Sequence, residues 1–152
     1  MRFRRIELPV QPGTEKFVYD AWVPDSLMNR ETTGPADCGI DLVNRKPVTM
    51  QAVDAKGPHF VLGWAAVSAE KGIAADEVFV RLSNDDGRLR TARARIFLRP
   101  DVNAYFKHPE MGAVGFEAIL DTSDLSGKFK LQIYVRRQNK FFSCPNIIEI
   151  RY

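Results

Sequence analysis

The chain has 152 residues, with 22 Lys+Arg against 19 Asp+Glu and a formal charge of +3. That is the length of one domain with a real core. Apolar residues at 45% and charged residues at 27% exclude a disordered or fibrous chain, and no apolar run approaches the ~18 residues of a membrane span. The opening MRFRRIELPV is charged but has no apolar stretch, so it does not read as a secretory leader. The basic excess is small and its arginines are scattered, with one local density at Arg88, Arg90, Arg93, Arg95 and Arg99. That spacing fits the solvated face of a strand better than a helix entering a nucleic-acid groove, so no nucleic-acid partner is expected.

In chain order, residues 1–37 read as a lead-in ahead of a domain at 38–152. Ile6 to Val10 and Phe17 to Val23 alternate, and Pro9 demotes the first to an edge strand. Asn29 to Asp37 contains Thr32-Thr33-Gly34-Pro35 and reads as a loop. Cys38, Ile40 and Leu42 then alternate with polar partners up to Asn44, and Val48 to Ala52 is a further short run. His59 to Val67 is apolar on both parities, which predicts a strand covered on both sides. Ser68 to Asp76 reads as a loop containing one turn capped by Ser68.

Val78, Val80 and Leu82 share one face of the next strand, and Asn84-Asp85-Asp86-Gly87 is a hairpin turn. In the return strand, Arg88 to Leu98, the apolar parity shifts to Ala92, Ala94, Ile96 and Leu98. The shift predicts a β-bulge near Thr91–Ala92. Asp101 is placed as the N-cap of a short helix that buries Val102, Tyr105 and Phe106 and ends at Pro109. Phe116 to Leu120, Phe129 to Val135 and Ile148 to Tyr152 are further strands. Short strands at roughly 10–15 residue spacing, with little helical periodicity, predict an all-β antiparallel β-sandwich, Ig-like or jelly-roll-like, with one or two helical turns.

No nucleotide loop, hydrolase elbow or metal-spaced histidine motif is present, so His59 and His108 read as surface or cap residues. Asp85 and Asp86 read as turn residues rather than calcium ligands. The chain is accordingly expected not to be an enzyme, with no cofactor and no metal. Cys38 and Cys144 could be a disulfide or two buried thiols, and spacing alone leaves both open. Trp64, flanked by Gly63 and Ala65, reads as core.

A binding surface is the remaining candidate. If the strands at 77–82, 92–98 and 129–136 share a sheet, one face carries Phe79, Arg81, Arg93, Arg95, Phe97, Gln132, Tyr134 and Arg136. Rings interleaved with guanidinium and amide donors suit a sugar or a polar protein partner. The expected ligand-binding set is Phe79, Arg81, Arg93, Phe97, Gln132 and Tyr134. The competing reading has Phe79 and Phe97 covered by the lead-in, which has Phe17, Tyr19 and Trp22 to bury.

An ordered series of short motifs adds a resemblance. Cys38-Gly39-Ile40-Asp41 with Asn44, Gly63-Trp64-Ala65, Arg99-Pro100-Asp101-Val102 with Tyr105-Phe106, Gly115-Phe116, and Leu125 and Gly127 before Phe129 follow one another. Together they resemble a β-sandwich module from the extracytoplasmic C-terminal regions of bacterial glycosyltransferase-like membrane proteins and related surface-polysaccharide proteins. The resemblance covers about residues 38–150 and implies a Cys38–Cys144 disulfide and an extracytoplasmic, periplasmic-face location. Its motifs make sense as scaffold: Gly63 admits a neighbouring backbone, Trp64 fills the core, Arg99 pairs with Asp101 or Asp41, and Leu125 and Gly127 form a turn. Any glycosyl transfer would belong to a membrane part that this chain lacks. The expected function is therefore a non-catalytic accessory module binding or positioning a cell-envelope glycan. The alternative is a structural interaction module that contacts a membrane-embedded parent protein or a second copy of itself.

Overall fold

The computed structural model describes residues 19–28, 32–44, 46–47, 53–54 and 59–152. The strands expected at Ile6 to Val10 and Val48 to Ala52, and residues 17 and 18 of the Phe17 to Val23 run, lie outside these residues. Among the described residues the fold is an all-β sandwich of two sheets, with two short helices.

The strands are β1 (Thr32–Pro35), β2 (Asp37–Val43), β3 (Lys46–Pro47), β4 (Val53–Asp54), β5 (His59–Ser68) and β6 (Ile73–Ala74), followed by β7 (Glu77–Ser83), β8 (Leu89–Arg93), β9 (Arg95–Phe97), β10 (Gly115–Leu120), β11 (Lys128–Arg137) and β12 (Lys140–Arg151). The helices are α1 (Asp25–Met28) and α2 (Pro100–Tyr105). The first sheet runs β1-β12-β11-β7-β8, with β4 also on β12. The second runs β3-β2-β5-β10-β9, with β6 also on β5.

The core lies where the alternating residues of the two sheets meet. Val78, Val80 and Leu82 of β7 and Phe129, Leu131, Ile133 and Val135 of β11 face Val61 and Ala65 of β5 and Phe116, Ala118 and Leu120 of β10. All are buried, so each strand's apolar parity is spent on one interface. The Asn84–Gly87 hairpin forms as expected: the Gly87 N–H donates to the Asn84 carbonyl, and Gly87 takes φ +80°.

Several local expectations are corrected. Thr32–Pro35 is an edge strand parallel to β12, not a loop. Ile73–Ala74, within the expected loop after Ser68, pairs with β5, although Ser68 Oγ does accept from the Lys71 N–H there. Leu42 does not share the inner face of Cys38 and Ile40. The β2–β5 register shifts between Ile40 and Leu42, so Asp41 is an extra residue and Val43 turns into the core. The bulge expected at Thr91–Ala92 is absent, because β8 pairs with β7 in unbroken register from Leu89 to Arg93. There is no parity change to accommodate: Leu89 is 40% exposed on the outer face, and Ala92, Ala94 and Ile96 all pack into the core as the chain leaves the first sheet at Ala94 and joins the second as β9. Ala36 makes the same crossing between β1 and β2. Leu98, placed in the buried set, is 67% exposed just beyond β9.

The last strand is longer than expected, because Lys140 to Ile147 also belongs to β12. Its register against β11 shifts between Gln132 and Tyr134, where Cys144-Pro145-Asn146 stands opposite Ile133 alone. Pro145, which has no N–H to donate to a ladder, sits in this bulge. α2 begins two positions earlier than expected. Arg99 is its N-cap and Pro100 opens it, so Asp101 lies inside the first turn. Val102 is buried and Phe106 half-buried, whereas Tyr105 is 79% exposed. Trp64 lies on the outer side of the second sheet rather than in the core between the sheets. Its ring is 5.3 Å from that of Phe106, in a small cluster with Val102 and Met111.

Candidate ligand-binding face

The first sheet's outer face assembles five of the six residues expected to bind a ligand. Across β11, β7 and β8, Tyr134, Phe79 and Arg93 form one cross-strand row. Gln132, Arg81 and Thr91 form the next. Phe97 is separated from them, because the crossing at Ala94 carries it into the second sheet, opposite Gly115. Arg95 goes with it, and pairs with Asp20 at 2.6 Å.

Phe79 is fully buried and does not present a ring to a ligand. Phe141, Val23, Leu27 and Tyr134 cover it. Residues 19–28 reach it as a strap. Asp20 exchanges backbone and carboxylate hydrogen bonds with Ile119 of β10, Trp22 bridges to Ala92, and the Val23 N–H donates to the Thr91 carbonyl. α1 follows, and Leu27 of that helix packs at Phe79.

The polar groups of the face are ordered mainly by one another. The Arg81 guanidinium lies over the Tyr134 ring, 4.7 Å from its centre, while its Nε donates to Thr91 Oγ1 at 3.3 Å. Tyr134 Oη donates to Gln132 Oε1 at 3.1 Å, and Gln132 Nε2 donates to the Cys144 carbonyl at 2.8 Å. Glu77 pairs with both Arg93 and Arg136. These contacts leave the terminal nitrogens of Arg81 and Arg93 as the donors best able to meet a ligand. The Tyr134 hydroxyl keeps its lone pairs as acceptors.

Cys38 and Cys144 form a disulfide with a Cα–Cα distance of 5.8 Å. It ties β2 of the second sheet to the β12 bulge of the first, close to the crossing at Ala36. Asn146 Nδ2 donates to the Cys38 carbonyl at 3.3 Å on the same bulge.

Behind the second sheet, Arg99 is buried and holds both carboxylates named for it. It donates to Asp101 through two bonds of 2.9 and 2.7 Å, and to Asp41 at 2.6 Å. The Arg99 guanidinium holds the Asp101 carboxyl below its usual range. Gly63 meets the Gly39 backbone closely: a Cβ there would stand 2.1 Å from the Gly39 carbonyl oxygen.

The histidines are placed differently from the sequence expectation. His108 is partly exposed and bonds the Glu70 carbonyl and Glu110. His59 is completely buried, not a surface or cap residue. Burial pushes its pKa down to about 4, and burial raises that of Tyr152, whose ring lies edge-on to it. Tyr152 therefore stays protonated and donates to His59 Nδ1. His59 Nε2 has no hydrogen-bond partner among the described residues. The only sequence signal for this burial was that His59 shares the odd parity of Val61 and Ala65 in β5, which does not distinguish a core His from a strand-end one.

Among the described residues no group of three or more His, Cys, Asp or Glu is placed to hold a metal ion, and no helix is long and apolar enough to cross a membrane. Comparison of the chain with protein families, curated proteins and solved structures returned no match.

Proposed function

We propose that this chain is a non-catalytic accessory module that binds or positions a cell-envelope glycan, outside the cytoplasm, during polysaccharide synthesis or modification. The observation that carries the reading is Arg81 stacked on Tyr134 beside Arg93. A rigid sheet holds a ring and free guanidinium donors side by side, the combination that contacts both the C–H surface and the hydroxyls of a sugar. The disulfide supports an oxidising compartment. A thermal-unfolding screen of the oxidised protein against envelope-type saccharides tests the reading. A ligand at a hundredfold excess over Kd stabilises the native state by about 2.7 kcal/mol and raises the midpoint. That shift should shrink in Tyr134→Ala and Arg93→Ala; equal affinity in both variants would refute this face.

One observation favours a second reading, a structural module that docks on protein. Leu98 and Tyr105, 67% and 79% exposed, flank the start and end of α2 on the side away from Tyr134. Concentration-dependent sedimentation without any response to saccharides would favour it.

A further inference from the structure

We propose that the same face selects an acidic glycan, a polysaccharide carrying carboxylates such as a polyuronate; this rests on the glycan-binding reading and specifies its ligand. The outward parity of the first sheet carries six cations, Arg81, Arg93, Lys128, Lys130, Arg136 and Arg151, against the carboxylates of Glu77 and Glu149. The whole chain has an excess of only three, so most of its cationic surplus is gathered on one sheet face.

The carboxylates are also unevenly placed. Glu149 reaches Lys128 at 3.9 Å although it stands opposite Lys130 in the ladder, and Glu77 is shared by Arg93 and Arg136. Arg81 and Lys130 have no carboxylate partner among the described residues.

Register turns these side chains into a track. Arg93 of β8 stands opposite Phe79, Arg81 lies two residues further along β7, and Lys130 of β11 stands opposite Ser83, two residues further again. A strand spacing of about 4.8 Å and a two-residue rise of about 6.7 Å put successive cations about 8 Å apart on a diagonal. An extended polymer with regularly repeated carboxylates complements such a row. The free terminal nitrogens of a guanidinium form the bidentate fork that a carboxylate fits. The face presents no helix or ribbon shaped to enter a nucleic-acid groove.

The test is calorimetric titration of the oxidised protein with oligogalacturonate and with neutral dextran oligomers. Phosphatidylglycerol-containing vesicles and duplex DNA serve as competing anions. The expected result is binding of oligogalacturonate that weakens steeply with salt, with dextran bound at least tenfold more weakly. Arg81→Gln and Lys130→Gln should each reduce affinity by about tenfold. Lys130 is exposed, so its variant reports on binding even if Arg81→Gln proves unstable. Equal binding of dextran and oligogalacturonate would overturn the acidic preference and leave the glycan reading standing. Binding of neither would remove both. Tighter binding to the vesicles or to DNA than to oligogalacturonate would overturn the inference in favour of that anion.

Discussion

Lowering the pH from 7 to 4 should destabilise this protein through one histidine. His59 is fully buried against Tyr152, whose ring in turn meets Phe129, and its pKa falls from 6.5 to about 4. The folded state therefore resists a proton that the unfolded chain accepts. Stability from this group is fully present above pH 6.5 and is lost as pH falls toward 4. Integrating over that window, the loss is about 2 kcal/mol by pH 5 and about 3 kcal/mol by pH 4. His108 acts in the opposite sense, because its bond with the Glu70 carbonyl, and then Glu110, raises its pKa. Its stabilisation is present below pH 6.5 and is lost as pH rises through the raised value. A His108→Asn background removes that opposing slope. Carboxylates held below their usual range, such as Asp101, lose their contribution only at still lower pH. Urea unfolding at half-unit steps from pH 7 to 5 reads the slope. The double variant His59→Phe/Tyr152→Phe removes both buried partners together, so neither is left unpaired, and should flatten the profile. A flat profile in the His108→Asn parent, or an unchanged slope in the variant with Phe at both positions, would refute the argument.

Reducing the Cys38–Cys144 bond, or replacing both residues by Ala, should lower stability by up to about 4.7 kcal/mol on the chain-entropy account for a loop of this size. Denaturation with and without reductant measures it, and an unchanged midpoint would remove the disulfide from the fold's stability. Gly63→Ala should cost about 1–3 kcal/mol, because the new Cβ would stand 2.1 Å from a backbone oxygen. Gly87→Ala meets no atom within 4 Å and carries only the strain of φ +80°. It should therefore be the milder of the two in parallel thermal melts, and the reverse order would refute the close-approach argument. Arg99→Gln leaves Asp41 and Asp101 without their guanidinium, and NMR titration should show the Asp101 carboxyl moving up toward its ordinary value.

Local pattern made much of the fold legible. Period-two alternation located β7, β10 and β11 and assigned their buried parity, since a strand with one covered face must alternate. Asn84–Gly87 announced a hairpin because its geometry needs a residue at positive φ. The expected binding surface was partly legible for the same reason: Arg81, Gln132 and Tyr134 share a face as their parity required. Phe97 was misplaced because parity says which side of a strand a residue faces, not which sheet the strand belongs to. Tyr105 was misplaced because the i, i+3, i+4 spacing of a six-residue helix does not say how much of its surface the sheet can cover.

By itself, the sequence determined the all-β class, the hairpin at Asn84–Gly87 and the strands whose alternation is strict. These depend on interactions between near neighbours. Only the tertiary structure decided the two crossings at Ala36 and Ala94, the bulges at Asp41 and at Cys144–Asn146, the burial of His59, and the cover over Phe79. These depend on partners far along the chain, such as β5 for the Asp41 bulge, Cys38 for Cys144, Tyr152 for His59, and the strap at 19–28 for Phe79. Pairings of that kind arise when separate segments are packed into one core, and no local window contains them.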